Sequence, residues 1–118
     1  MNVEEVRSVC IARKGVSEGF PFDDTTLVVK VGGKIFALIN LDNNPSVNLK
    51  CDPERSIDLR ERYDAIIPGY HMNKSHWNTL ILDGSLPDRL IAELINHSYD
   101  LVLASLPKKT QDEVNSEQ

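Results

Sequence analysis

The chain has few of the features that mark several common classes of protein. Its two cysteines, Cys10 and Cys51, are too few and too widely spaced for a disulfide framework, a C-x-x-C redox motif or a zinc finger. No apolar run approaches the roughly 18 residues that a membrane-spanning helix needs, and the acidic start MNVEEVRSVC differs from a basic secretory signal. We therefore expect a cytoplasmic protein that keeps its cysteines reduced and does not enter the membrane.

Positive charge is also scarce, with 13 Lys and Arg residues against 18 Asp and Glu residues and a formal net charge of −5. An acidic chain repels polyanions such as nucleic acid at long range. The charge is not evenly spread, because the segments 27–51 and 65–82 both carry a surplus of lysine. Their lysines are Lys30, Lys34, Lys50 and Lys74. A local basic patch on an acidic protein is therefore compatible with the sequence.

Recognisable catalytic and metal-binding motifs are missing. The histidines His71, His76 and His97 are not spaced as H-x-x-x-H or H-E-x-x-H, and zinc needs three or four converging ligands. There is no G-x-S-x-G motif, and the Gly32-Gly33 pair joins two strand-like runs rather than preceding a helix, unlike a phosphate-binding loop. The sequence thus predicts no enzyme activity, cofactor, metal or small-molecule substrate, and histidines that pack against backbone groups or carboxylates.

Three segments carry helix-start signals followed by apolar residues at helical spacing. Asn2 and Glu5 form a capping-box pattern before a helix over about residues 3–14. Asp52, followed by a proline, is the predicted N-cap of a second helix. Ser85 is the predicted N-cap of a third and longer helix with a continuous apolar stripe.

The clearest strand pair is TTLVVKV-GG-KIFALINL, because two glycines tolerate the positive φ angles of a two-residue hairpin turn. Counting from that turn places Val29 opposite Phe36 and Leu27 opposite Leu38 on the face that the helices cover. The opposite face then holds Val28, Lys30, Ile35, Ala37 and Ile39. The run PSVNLKC predicts a third strand, which adds Asn48 and Lys50 to this second face.

Two further strands are expected at residues 70–72 and 77–82, after the Pro68-Gly69 turn signal. The element order α-β-β-β-α-β-β-α predicts an α+β fold, with an antiparallel sheet of about five strands and helices packed on one face. Residues 1–106 form one domain, and the polar residues 107–118 are expected to be a mobile tail.

The segment IPGYHMNKSHWNTL combines aromatic and basic residues within a short stretch. Lysine and protonated histidine contact phosphates, and tyrosine or tryptophan stacks on unpaired bases. Trp77 also begins an apolar strand, so its burial in the core is an alternative. The candidate nucleic-acid-binding residues of this segment are Tyr70, His71, Lys74, His76 and Trp77.

Four strings of the sequence resemble the MmcQ/YjbR family across about residues 3–109. They are EGFPFDDTTLVVKVGGKIFALINL, VNLKCDPERSIDLRERY, IPGYHMNKSHWNTLILDGSLP and INHSYDLVLASLPKK. The resemblance implies a compact α+β domain of frataxin-like or secretion-chaperone-like topology. It also implies DNA binding through a double wing of protruding β elements, and it supplies no catalytic residue or cofactor.

Two hypotheses of function follow. The first is a small, non-enzymatic DNA-binding protein in which Lys30, Lys34 and Lys50 join the candidate residues of 70–77 and contact phosphates, with weak affinity because few charges are involved. The second is a protein-interaction module, homodimeric or chaperone-like. It would use the open sheet face at Val28, Ile35 and Ile39, or the loop that carries Phe20 and Phe22.

Overall fold

The computed structural model describes residues 1–69 and 72–116. The helices in these ranges are α1 (Val3–Ile11), α2 (Pro53–Arg62), α3 (Asp88–Ser105) and α4 (Lys108–Asn115). The strands are β1 (Val16–Gly19), β2 (Thr26–Val31), β3 (Lys34–Asn40), β4 (Ser46–Lys50), β5 (Ile66–Pro68) and β6 (Trp77–Ile81). No helix of these ranges is both long and apolar enough to cross a membrane.

The strands form one antiparallel sheet in the order β1-β2-β3-β4-β6-β5. Helices α1 and α3 pack against one face of this sheet, and α2 packs beside β5. Side chains from β2, β3, β4 and β6 join Val6, Ile95 and Tyr99 of the helices in a buried core. This confirms the predicted α+β class, with helices on one side and the opposite sheet face left open.

The sheet has six strands rather than about five, because Val16–Gly19 pairs with β2 at the sheet edge. The sequence VSEG is short and lacks the apolar alternation of a half-buried strand, so nothing in its pattern predicted a strand. The other edge also differs from expectation. The partner of β6 is Ile66–Pro68, ahead of the Pro68-Gly69 turn, whereas residues 70 and 71 of the predicted strand lie outside the described ranges.

The predicted register of the β2–β3 hairpin is wrong beyond its first pairs. A β-bulge at Phe36 shifts the pairing, so that Val29 lies opposite Ala37 and Leu27 opposite Ile39. A bulge places one extra residue on one strand, and a shift of one residue exchanges the two sheet faces. Ala37 and Ile39 therefore enter the core, and Leu38 moves to the open face.

Two of the three predicted helix starts are confirmed. The side chains and backbone amides of Asn2 and Glu5 bond reciprocally, and the Asp52 carboxylate accepts from the amide of Arg55. The prediction for Ser85 is wrong, because its amide and hydroxyl both donate to Asp83. Helix α3 instead begins after Pro87 without a side-chain cap.

Residues 107–118, expected as a polar tail, contain the helix α4. Val114 is 3% exposed, and a Cβ added to Gly15 would lie 2.8 Å from its side chain. A Cβ added to Gly32 would likewise lie 2.7 Å from the side chain of Leu106 and 3.0 Å from that of Thr110. Val114 is the one apolar residue of α4, which is too weak a pattern to predict a helix. The glycines against which it packs, Gly15 and Gly32, are far away in the sequence.

Candidate functional site on the open sheet face

The open sheet face carries three rows of side chains that run across the strands. The central row consists of the directly paired residues Val28, Leu38, Asn48, Thr79 and Ile67. The polar row, one pleat away, consists of Thr26, Asn40, Ser46 and Ile81. The cationic row, on the other side of the central row, consists of Lys30, Ile35, Lys50 and Trp77. Alternation along each strand places all three rows opposite the helix-covered core.

A groove of about 680 Å³ follows the central and polar rows. Its floor includes Leu38, Asn48 and Thr79, and its rim is formed by Phe22 of the β1–β2 loop and Met72 of the β5–β6 loop. Grooves of this size that combine apolar floors with a few polar groups are typical binding sites. Phe22 is 69% exposed and its neighbour Phe20 is 50% exposed, so the rim presents aromatic surface to solvent.

One end of the groove is acidic. The carboxylate of Asp23 accepts hydrogen bonds from the backbone amides of Thr25 at 2.9 Å and Thr26 at 2.7 Å. These amides lower the pKa of Asp23 below its ordinary value, which keeps the carboxylate ionised. Asp42 lines the same end and accepts from the amide of Asn44 at 2.9 Å. No lysine or arginine lines the groove within the described ranges.

The floor of the groove satisfies its own polar groups. The hydroxyl of Thr79 donates to the side-chain oxygen of Asn48 across the β4–β6 pair. This bond fixes the orientation of the Asn48 amide, so that its NH₂ group points away from Thr79. The groove therefore offers a rigid amide between apolar neighbours rather than a charged or nucleophilic centre.

The structure separates the lysines that the sequence grouped together. Lys30 and Lys50 lie on the open face, and neither forms an ion pair with any residue of 1–69 or 72–116. Lys34 lies beside Val31 on the helix side and donates to the hydroxyl of Ser105 at 3.1 Å. Lys74 lies in the β5–β6 loop, where its carbonyl accepts from Arg60.

Trp77 is half-buried on the open face, opposite Lys50 in the β4–β6 pair. The core position of β6 next to it is taken by Asn78, which is 1% exposed, and neither polar atom of its side-chain amide has a hydrogen-bond partner in the part of the chain described. Trp77 thus does not anchor the main core. It extends the cationic row with an aromatic surface, as the nucleic-acid hypothesis requires.

The rest of the aromatic and basic segment forms a turn. The carbonyl of Asn73 accepts from the amides of His76 and Trp77, and its side chain accepts from the amide of Ser75. His76 is exposed beside Trp77. Tyr70 and His71, also candidate contact residues, lie outside the described residues. The structure therefore brings Lys50 and Trp77 together, with His76 adjacent, and leaves Lys34 on the other face.

Both cysteines and one of the histidines are used in packing, whereas His76 is exposed, contrary to the packing role predicted for it. Burial raises the pKa of Cys10 to about 12 and also raises the pKa of Cys51, so both thiols stay protonated. Nε2 of His97 accepts from the amide of Asp52 at 3.2 Å, which agrees with the predicted packing role for that histidine. Among the described residues, no cluster of three or more His, Cys, Asp or Glu side chains could hold a metal ion.

Sequence reasoning missed the groove and most of its lining. The predicted register places Leu38 in the core, and no sequence pattern assigns a role to Asp23, Asp42 or Thr79. Their grouping depends on the bulge and on the strand order β4-β6-β5, and neither is visible in a local pattern. Local patterns did predict Asn48 and Ile35 on the open face, and they named the loop of Phe22 as a possible contact surface; all three residues line the groove.

The comparisons with known proteins agree with this architecture. Escherichia coli K12 YjbR is 36% identical over 110 residues, which cover 92% of this chain and 93% of that protein. YbdF of Escherichia coli O157:H7 is 42% identical over 96 residues, covering 80% of this chain and 79% of that protein. Neither name states an activity.

Two solved structures share the fold. The crystal structure of the Deinococcus radiodurans protein DR2400, a DUF419 domain, matches with a TM-score of 0.90 and 41% identity, covering 97% of this chain and 88% of that one. A Pseudomonas syringae crystal structure matches with a TM-score of 0.76 and 26% identity, covering 86% and 99%. The family model described as YjbR matches residues 11–101, and the chain therefore belongs to the YjbR family.

Proposed function

We propose that this protein is a non-catalytic interaction module whose open sheet face binds another polypeptide. The observation that carries the proposal is the groove of about 680 Å³, with its apolar floor, its oriented Asn48 amide and its exposed aromatic rim. Exposed aromatic side chains beside an apolar depression are typical of protein contact surfaces.

Charge also favours a polypeptide over a polyanion in the groove. Asp23 and Asp42 line one end, and their carboxylates would repel phosphates that followed the groove. A peptide meets no such penalty, since it can place an apolar side chain over Leu38 and a basic group near the carboxylates. The net charge of −5 points in the same direction.

A peptide-display selection against the immobilised protein tests this proposal. We expect enrichment of peptides with apolar residues, whose affinity Leu38→Asp lowers about tenfold or more by placing a charge in the apolar floor. Ile57→Asp is the matched control, because Ile57 is a large exposed apolar residue on α2, away from the groove. Circular dichroism must show that both variants fold, and Thr79→Arg provides a second block of the groove. Selection of no peptide, or equal binding by all variants, would contradict the proposal.

DNA binding is the second candidate, and one observation favours it. Lys30, Lys50 and Trp77 occupy one row of the open face, and the two lysines lack an acidic partner among the residues described. An aromatic ring beside unpaired cations suits a single strand, whose bases stack while its phosphates meet the lysines. The contact would be weak, because each neutralised phosphate contributes a salt slope of only about −0.7 on single strands.

Fluorescence anisotropy separates this candidate from the first. Labelled single-stranded and duplex oligonucleotides are titrated at about 50 mM salt, where phosphate contacts are strongest. If the cationic row binds nucleic acid, Lys30→Gln/Lys50→Gln weakens binding and flattens its salt dependence, whereas the control pair Lys14→Gln/Lys109→Gln does not. Equal loss in both pairs would indicate non-specific attraction, and absence of binding at low salt would remove this candidate.

A further inference from the structure

We infer that the partner on the open face is a second copy of this chain, related by a two-fold axis that lies between the two facing sheets. The inference rests on the proposed function, because it identifies the partner of the same surface. Three features of the open face support it: opposite charges at its two ends, an uncharged middle, and an exposed aromatic loop at one end.

The charges of the open face are segregated along the strand direction. Lys30 and Lys50 lie at one end of β2 and β4, in the cationic row. Asp23 and Asp42 lie at the other end, beside the polar row. The central row between them carries no charge. A surface of this kind attracts a copy of itself once the copy is turned end over end.

A two-fold axis along the central row makes that turn. This rotation reverses the direction of each strand and places the strand over the same strand of the copy. A residue on one side of the central row therefore meets the partner's residue that lies equally far away on the other side. Lys30 and Thr26 are each two residues from Val28, which places Lys30 over the start of the partner's β2, beside the partner's Asp23. In a two-fold interface each such contact occurs twice, once from each copy.

The same rotation brings Lys50, the second cation of the row, close to an aspartate of the partner. Lys50 and Ser46 are each two residues from Asn48, so the axis places Lys50 over the start of the partner's β4. The loop before that strand carries the partner's Asp42, which lines the groove beside Ser46. The dimer therefore contains two Lys30–Asp23 approaches and two Lys50–Asp42 approaches.

The central rows of the two copies can pack against each other. Leu38 and Ile67 are apolar, and Asn48 already bonds to Thr79, so little unsatisfied polarity is buried when the copies meet. Sheets that pack face to face lie about 10 Å apart, a gap that a lysine on one copy and an aspartate on the other can bridge.

The aromatic rim supplies a residue from each copy to the other. Phe22 precedes β2 at the acidic end and is 69% exposed. The axis carries the partner's Phe22 towards Lys30 and Ile35 of the cationic row. There its ring gains apolar contact and lies close to a lysine, an arrangement that adds a cation–π attraction. The same dimer thus covers the exposed aromatic loop and neutralises the unpaired lysines.

The area of the open sheet face determines the expected affinity of the dimer. Val28 on β2 is 1% exposed and adds little contact area. The other four strands, spaced by about 4.8 Å over four to five residues of about 3.4 Å each, give roughly 300 Å² per copy. This is less than half of the roughly 800 Å² per partner of a standard stable interface, so the dimer is weak and reversible. Since it depends on exposed ion pairs, higher salt also weakens it.

Sedimentation velocity over about 1–200 µM protein tests the inference, in about 50 mM and then 500 mM salt. We expect a concentration-dependent dimer that dissociates more at the higher salt. Lys50→Glu should weaken it by about tenfold, because two like-charge contacts replace two attractive ones. Asp42→Lys should do the same. Lys14→Glu, an equal charge change outside the face, is the control and should have no such effect.

Mixing the two charge-reversed variants gives the decisive result. In a Lys50→Glu/Asp42→Lys heterodimer one contact is native and the other is an attractive reversed pair, so dimerisation should return to within about threefold of the native level. A monomer at every concentration, or no recovery on mixing, overturns the inference. Peptide binding that depends on Leu38 would then still support the proposed function, whereas its absence in a monomeric protein would remove both.

Discussion

The hydroxyl of Ser98 on α3 joins two strands of the sheet at the point where their own pairing ends. It donates to the carbonyl of Phe36 at 2.6 Å and accepts from the amide of Lys50 at 2.9 Å. The regular β3–β4 pairing stops at Ala37 and Leu49, one step earlier, because the bulge displaces Phe36. Ser98 thus completes the hydrogen bonding of the bulge and positions the strand end that carries Lys50.

Ser98→Ala should therefore destabilise the fold by about 1–3 kcal/mol, because it leaves a buried carbonyl without its partner and removes the acceptor of a second backbone group. Urea unfolding followed by circular dichroism measures this as a lower midpoint with an unchanged slope. Ser8→Ala is the matched control, since Ser8 is an exposed helical serine whose hydroxyl donates to the carbonyl of Glu4 in the same helix. Its change should stay within about 0.5 kcal/mol. Equal effects of the two substitutions would contradict the role of Ser98.

Val114→Ala should loosen α4 from the sheet edge. Val114 is buried against Gly15 and Gly32, so its truncation loses apolar contact and leaves a cavity, at a cost of about 1–3 kcal/mol. Hydrogen exchange of the amides of 108–116 should accelerate more than that of the central strands. Glu113→Ala, on the exposed side of the same helix, should leave that exchange nearly unchanged. If both variants exchange alike, Val114 does not hold the helix in place.

The parts of the fold that sequence predicted well are those governed by neighbouring residues. The capping box of Asn2 and Glu5, the Asp52 cap and the Gly32-Gly33 turn each depend on a few adjacent side chains or φ angles. The bulge at Phe36 does not, because the carbonyl of Phe36 accepts from the hydroxyl of Ser98, 62 residues further along the chain. A register that depends on a distant helix leaves no local signal.

In the candidate site, too, features set by neighbouring residues were predictable from sequence and features set by distant residues were not. Alternation correctly placed Asn48 and Lys50 on the open face, since the third strand is regular. The groove required Leu38 on that face as well, and only the bulge puts it there. The lysines appeared as one group because they are close in sequence, yet Lys34 sits on the helix side, where it contacts Ser105. Counting from the Gly32-Gly33 turn places Lys34 opposite Val31 on the helix side, and the structure confirms this pair, so the register next to the turn was sufficient to assign the face of Lys34.

Gly69→Ala should destabilise the β5–β6 connection by steric conflict. A Cβ at Gly69 would lie 3.0 Å from Cβ and 3.1 Å from the carbonyl oxygen of Trp77, and backbone atoms cannot move aside easily. The amide of Gly69 also donates to that carbonyl at 2.8 Å, so the contact cannot widen without weakening a hydrogen bond. We expect a loss of about 1–3 kcal/mol and a shift in Trp77 fluorescence.

Gly19→Ala provides the comparison for that experiment. Nothing lies within 4 Å of a Cβ added there, and the backbone of Gly19 does not have a positive φ. Alanine at such a position is neutral or slightly stabilising, because it restricts the unfolded chain. Urea midpoints of the two variants should therefore move apart. A similar loss in both would show that glycine content, rather than contact with Trp77, decides stability.

The stability of the fold should also depend on the protonation of His97. Partial burial, and then the positive charge of Arg55, lower the pKa of His97, although Asp52 and Asp100 oppose this. Neutral Nε2 accepts from the amide of Asp52 at the start of α2, and protonation removes that acceptor. A histidine in the unfolded chain has a pKa of about 6.5. The stability that neutral His97 contributes is therefore complete above that pH, and it is lost as the pH falls towards the lower pKa of the folded state.

Urea unfolding at intervals between about pH 7.5 and 5 measures this dependence, above the range in which carboxylates titrate. The carboxylates with shifted values, Glu18, Asp23 and Asp83, have lowered pKa values and titrate below this window. His97→Gln should flatten the curve, because glutamine offers an oxygen acceptor that does not titrate. His76→Gln, at an exposed histidine, should retain the native slope. A native slope in His97→Gln would assign the pH dependence to another group.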